Sequence, residues 1–245
     1  MSTQRPVCLV VGAGDGIGMA VARAFARDGM AVALTRRARN LNHLETQALA
    51  LTAQGHVARA FGVDAREEAE MVPLFDQIER EMGPLAVVVF NIGGNVRHPI
   101  TETTAQVYTK VWEMAAFAGF LAGREAARVM APRAQGTIIF TGATASTRGG
   151  NGFAAFAGAK TALRALAQSM ARELGPKGIH VAHVVIDGAV EGEFIRSMLP
   201  DFEARRANNE VLNPDEIARN YVWLHHQHRS AWTHELDLRP WTEKW

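Results

Sequence analysis

A doubly wound α/β domain, one parallel sheet with helices on both faces, is the fold class this sequence predicts. Three observations carry it. Short apolar runs alternate with helix-length segments from end to end. Those runs are almost continuously apolar and rich in valine and isoleucine, the pattern of strands covered on both sides. The first run also leads into a glycine-rich turn that opens a helix. Strand, helix, strand repetition with right-handed crossovers then yields an open parallel sheet. With 245 residues, 48% of them hydrophobic, the chain can bury one large core, so residues 1–245 are expected to form a single domain.

The elements follow in order. Residues 7–11, 31–34, 57–63, 85–90, 137–140 and 179–186 read as buried strands. Between them, 16–28, 40–54, 66–82, a long stretch over 103–134, 153–174 and 214–227 carry helical patterns. Residues 232–238 alternate enough to be an edge or closing strand, followed by a tail over 239–245 that holds Trp241 and Trp245. That tail would either cover a neighbouring subunit's pocket or tether itself to its own sheet.

Composition narrows the function classes. The formal net charge is +1, from 26 basic and 25 acidic residues, so no field favours nucleic acid or an anionic membrane and a small molecule is the expected ligand. The one cysteine, Cys8, lies inside the first strand and reads as a buried thiol in a reducing compartment. Only five apolar residues separate the N-terminal Met1 to Pro6 from Gly12, too few for a signal peptide or a membrane span, so a cytoplasmic protein is expected. His225, His226 and His228 have no carboxylate or cysteine to complete a metal set, and no metal site is expected.

The chemistry concentrates at the carboxyl ends of the strands. Gly12, Gly14, Gly16 and Gly18 allow a tight turn, a close approach to a pyrophosphate and close packing on the sheet, with the N-terminus of the helix that follows, entered at Met19-Ala20, facing phosphate. This is the Rossmann-type arrangement. The second strand ends in Arg36-Arg37, where an acidic residue would bind the ribose hydroxyls of NAD; paired guanidinium groups favour the extra phosphate of NADP. Asp15 adds a negative charge to the phosphate turn. Asp64 could accept from an adenine amino group, cap the helix that follows, or do both. After the fourth strand, Asn91-Ile92-Gly93-Gly94 stands where ligands of open α/β folds lie.

Glycine turn, Asn-x-x-Gly segment and a late lysine on a helix together resemble the short-chain dehydrogenase/reductase family over nearly the whole chain. The resemblance matches Gly12, Gly16 and Gly18 to the TGxxxGxG turn, with Val11 for threonine. Asn91 and Gly94 match the ends of the NNAG segment, and Lys160 matches the lysine of YxxxK, which holds the nicotinamide ribose. It further implies hydride transfer to or from a small carbonyl or alcohol. Asp15, Ile17, Gly93 and Gly188 are expected beside the dinucleotide, a substrate loop over about 187–212, and a homodimer or homotetramer built on the alanine-rich helices.

The departures from the family pattern fall on the chemistry. Phe156 takes the tyrosine's place in Phe156-Ala157-Gly158-Ala159-Lys160, Ala143 falls at the serine position, and Ala115 at the asparagine position. Thr141, Thr144 and Ser146 lie close enough that a one-residue shift of the loop would restore a hydroxyl. His98, Glu191 and Glu193 are the other candidate acids, each also readable as a solvated loop residue. Two functions therefore stay open: an NADP-dependent oxidoreductase with an atypical active site, or an NADP-binding protein that senses or interacts without catalysis.

Overall fold

The computed structural model describes residues 5–244. Met1 to Gln4 and Trp245, and with them the expectations for the extreme N-terminus and the last tryptophan, lie outside the described residues. Seven strands form one sheet: β1 (Val7–Val11), β2 (Ala31–Arg36), β3 (Ala58–Gly62), β4 (Leu85–Phe90), β5 (Gly136–Thr141), β6 (Ile179–Ile186) and β7 (Glu235–Leu238). Their order is β3-β2-β1-β4-β5-β6-β7 and every pairing is parallel. The order reverses between β1 and β4, which leaves a crevice at the carboxyl ends of those strands.

Side-chain alternation along each strand divides the core into two layers. From β1, Val7, Leu9 and Val11 enter one apolar cluster, with α3 (Glu68–Glu81), α5 (Ala118–Met130) and α6 (Ala154–Leu174) over it. Cys8 and Val10 enter the other, under α1 (Ile17–Arg27), α2 (Leu41–Ala53) and α9 (Pro214–His226). Cys8 is fully buried, and burial pushes its thiol pKa well up, as expected for a packed, unreactive sulfur.

Three departures from the expected elements bear on the site. The stretch over 103–134 is broken: α4 (Ala105–Trp112) runs into a π turn at Glu113–Phe117 before α5 begins. α4 packs on α6 whereas α5 packs on β4, and the wider turn absorbs the change of direction between them. The stretch after β6 holds two short helices, α7 (Glu193–Met198) and α8 (Phe202–Ala207), which no periodicity had signalled. The last strand starts only at Glu235, because Arg229–Ala231 forms a 3-10 turn and the chain from Trp232 to His234 is irregular.

Candidate functional site

Two adjoining cavities open over the carboxyl ends of the strands and share Asn91 and Gly93 as their common wall. The glycine turn builds the first. Gly12 holds φ at +93°, a conformation that glycine adopts without cost. A Cβ on Gly18 would stand 2.5 Å from the Gly12 carbonyl oxygen, so that position seats α1 against the turn. Gly14 and Gly16 have open space where a Cβ would sit, so their backbone is available to a ligand. The Asn91 amide donates to the Gly12 carbonyl at 3.1 Å and props the turn from β4.

This first cavity, about 220 Å³, is also lined by Thr35, Arg36, Arg37, Asp64 and Arg66. Among the described residues no carboxylate lies within ion-pair distance of Arg36 or Arg37. Asp64 is committed to Arg66: its carboxylate accepts from the backbone N–H at 3.2 Å and from Nη2 at 2.6 Å. Hydrogen bonding from Arg66 accordingly lowers the Asp64 pKa. Of its two expected roles the local one is visible, a bond to the Arg66 backbone two residues ahead of α3. Asp15 is exposed, paired with His43 at 2.7 Å, and lines neither cavity.

The second cavity, about 450 Å³, is bounded by Ile17, Asn95, Thr144, Arg148, Phe153, Phe156, Lys160, Gly188 and Val190 among others. Lys160 is 3% exposed, and its Nζ donates to the carbonyls of Thr141 at 2.8 Å and Ile92 at 3.1 Å. Burial pulls its pKa from 10.5 down to about 7. It is no surface lysine. Phe156 stands one turn earlier on α6 and belongs to a small buried apolar cluster with Val111, Ala115, Ala145, Ala155 and Ala159, against which Ala143 packs. The three positions flagged as departures in the sequence thus meet in one apolar wall, with Ala115 inside the π turn.

The nearby hydroxyls are all engaged. Thr141 Oγ1 shares a hydrogen bond with the buried Tyr221 hydroxyl at 2.9 Å. Thr144 donates to Asp187 at 2.6 Å, and Ser146, 1% exposed, accepts from the Ala143 N–H at 3.1 Å. Behind the loop, a Cβ on Gly142 would collide with the His183 ring, so glycine is required for β5 to pass β6 there. His183 donates through Nδ1 to Glu235 at 3.1 Å, and burial lowers its pKa to about 4, which keeps the ring neutral.

Of the other candidate acids, His98 is exposed and lines neither cavity, Glu191 pairs with Arg206 at 2.6 Å, and Glu193 is exposed at the start of α7. Sequence reasoning missed Arg148 and its partner Asp187, a carboxylate 2% exposed. The only hint was position: Arg148 opens the run Arg148-Gly149-Gly150-Asn151-Gly152 just beyond β5. The three histidines flagged earlier bond to Thr137, Asp28 and Ser230, and the described residues contain no metal-binding cluster. Trp241 donates from its indole to the Asn208 carbonyl at 3.0 Å, which ties the tail to the end of α8.

Residues 6–199 match the family described as short chain dehydrogenase. A short-chain dehydrogenase/reductase of Armillaria gallica is 32% identical over 180 residues, covering 73% of this chain and 69% of the relative. Gluconate 5-dehydrogenase of Gluconobacter oxydans is 30% identical over 190 residues, 78% of this chain and 72% of the relative. The crystal structure of a short-chain dehydrogenase from Rhodopseudomonas palustris superposes with a TM-score of 0.83 at 45% identity, covering 96% of this chain and 99% of that one.

Proposed function

The chain belongs to the short-chain dehydrogenase family, and from that premise we propose that it is an NADP-dependent oxidoreductase moving hydride to or from a small carbonyl or alcohol. One observation carries the reading. The two cavities form a single cleft across the strand-order reversal, with free-standing guanidinium groups at one end and a buried lysine at the other. Such a crevice at the strand-order reversal is where a dinucleotide lies in open α/β folds.

Within it, Gly12, Gly16, Ile17 and Gly18 would hold the pyrophosphate at the start of α1, and Arg36 and Arg37 the 2′-phosphate, for which NAD has no counterpart. Asp64, shared with Arg66, would border the adenine end, and Asp15 the rim of the phosphate turn. Asn91 and Gly93 would lie under the middle of the ligand, and Gly188 beside its nicotinamide end. Lys160 would donate to the nicotinamide ribose with the N–H not spent on Thr141 and Ile92. When bound, the dinucleotide would supply the hydride for carbonyl reduction or accept it in alcohol oxidation. The residues of this chain orient it, exclude water with the apolar Phe156 wall, and leave the proton to a group other than tyrosine.

The family's tyrosine, serine and asparagine positions are assigned to Phe156, Ala143 and Ala115, which makes the active site atypical. Loss of a proton donor costs about 10² to 10⁴ in rate, whereas orientation alone supplies roughly 7 to 11 kcal/mol, so a reductase without the tyrosine is chemically sound. The apolar cluster around Phe156 favours a second reading, a catalytically inactive NADP-binding sensor or interaction module. The stretch over 187–212, with α7 and α8, is assigned as the substrate loop. Tyr108, Trp112 and Phe120, large and exposed on the helices preceding β5, support a homodimer or homotetramer. A cytoplasmic location is in keeping with the buried thiol, and no helix among the described residues is long and apolar enough to cross a membrane.

NADPH titration followed by turnover with a panel of carbonyl compounds, for the parent and for Phe156→Tyr, separates the readings. Turnover by the parent establishes the oxidoreductase. Turnover only by Phe156→Tyr supports the non-catalytic reading, and absence of NADPH binding at millimolar concentration removes both.

A further inference from the structure

The larger cavity has a one-sided charge. Its wall is mostly apolar, and among the described residues no aspartate or glutamate lines it; the basic side chains that do are Lys160 and Arg148. Lys160 is buried and spends two of its donors on main-chain carbonyls. Arg148 differs. Its side chain is 42% exposed, and one nitrogen, Nη2, is held from behind by the Asp187 carboxylate at 3.2 and 3.3 Å.

Asp187 is itself fixed. It accepts from the Thr144 hydroxyl at 2.6 Å, its backbone N–H is paired to the Leu238 carbonyl at 2.8 Å, and Arg239 stands 4.0 Å from its other oxygen. A buried carboxylate anchored in this way holds one guanidinium nitrogen while leaving the remaining donors of the fork for a ligand. An apolar neutral substrate would desolvate those donors without pairing them, which is unfavourable. A planar anion matches the fork with charge-assisted hydrogen bonds.

The tail offers a second observation. The Glu243 carboxylate lies 4.0 Å from the same Nη2, on a segment pinned by Pro240 against Gly188 and by Trp241 on Asn208. A carboxylate from outside the cavity lining therefore stands beside Arg148.

We propose that Arg148 is the specificity residue for the substrate, selecting carbonyl or alcohol compounds that carry a carboxylate, with Asp187 positioning it and Glu243 competing for it. The proposal rests on the oxidoreductase reading above. The carboxylate pairs with the Arg148 fork, and the reacting carbon lies deeper, toward Phe156 and Lys160.

The test uses three oxo-acids of different size, pyruvate, levulinate and benzoylformate, each with its methyl ester. Binding to the NADP⁺-loaded protein is read by calorimetry, and turnover with NADPH is read separately. For the parent, at least one acid should bind roughly 10-fold or more tightly than its ester. Arg148→Met should abolish that preference while leaving NADPH affinity and ester binding as they were, and Arg148→Lys should restore part of it. Glu243→Gln should tighten the acid alone, by about 2- to 5-fold, the range of a screened charge contact. Equal binding of acids and esters by the parent, retention of the acid preference in Arg148→Met, or no acid bound to a protein that binds NADPH would each overturn the proposal and leave the cofactor reading intact. A parent that binds no NADPH fails at the earlier step.

Discussion

The Nζ of Lys160 stands 6.0 Å from the centre of the Phe156 ring, one helical turn away on the same face of α6. Its hydrogen bonds run instead to the backbone of β5 and of the segment after β4. The lysine is thereby built into the joint between two strands and a helix, and its burial couples folding to protonation.

That coupling has a defined sign. The folded pKa of Lys160, about 7, lies below its ordinary 10.5, so between those values the unfolded chain binds more protons and stability rises with pH. Urea unfolding of the parent and of Lys160→Met should show the parent gaining roughly 2 to 3 kcal/mol relative to the variant from pH 7 to pH 9. A difference that does not change with pH would show that the amine is not held neutral.

His183 acts at lower pH. Its folded pKa is about 4 against an ordinary 6.5, so its contribution to stability is present above pH 6.5 and is lost as pH falls toward 4. Relative to His183→Leu, the parent should lose up to roughly 3 kcal/mol across that window, measured by urea unfolding. A parallel pH dependence in both proteins would count against a neutral buried ring.

Gly18→Ala should be damaging out of proportion to one methyl group. The added carbon would lie 2.5 Å from the Gly12 carbonyl oxygen and 2.8 Å from the Ala13 Cα, and main chain cannot move aside. The expected cost is about 1 to 3 kcal/mol, a fall in Tm of some 2 to 12 °C, together with loss of dinucleotide binding. Gly175→Ala, which meets open space in helical backbone at the C-terminal end of α6, is the control.

If Arg36 and Arg37 hold the 2′-phosphate as proposed, replacing both by alanine should weaken NADPH roughly 10- to 100-fold and leave NADH unchanged. Fluorescence titration with both dinucleotides measures this. An equal loss for both would assign the arginines to the pyrophosphate instead.

Much of this protein is written locally. Largely apolar runs such as Val7–Val11, and Ile179–Ile186 with its two buried histidines, read as strands covered on both faces, and the glycines from Gly12 to Gly18 suit a tight turn into α1, so the fold class followed from short-range pattern. The four-residue step from Phe156 to Lys160 likewise put both on one helical face. What tertiary structure decided are the partnerships between segments far apart in the chain: Arg148 with Asp187 and Glu243, His183 with Glu235, and Asp15 with His43. It also placed Ala115, Ala143 and Phe156 in one wall by way of a π turn. Such contacts leave no periodic trace, because a loop side chain takes its partner from whichever strand end the sheet brings beside it. The charge of the larger cavity therefore emerges only once β5, β6 and the tail are in register.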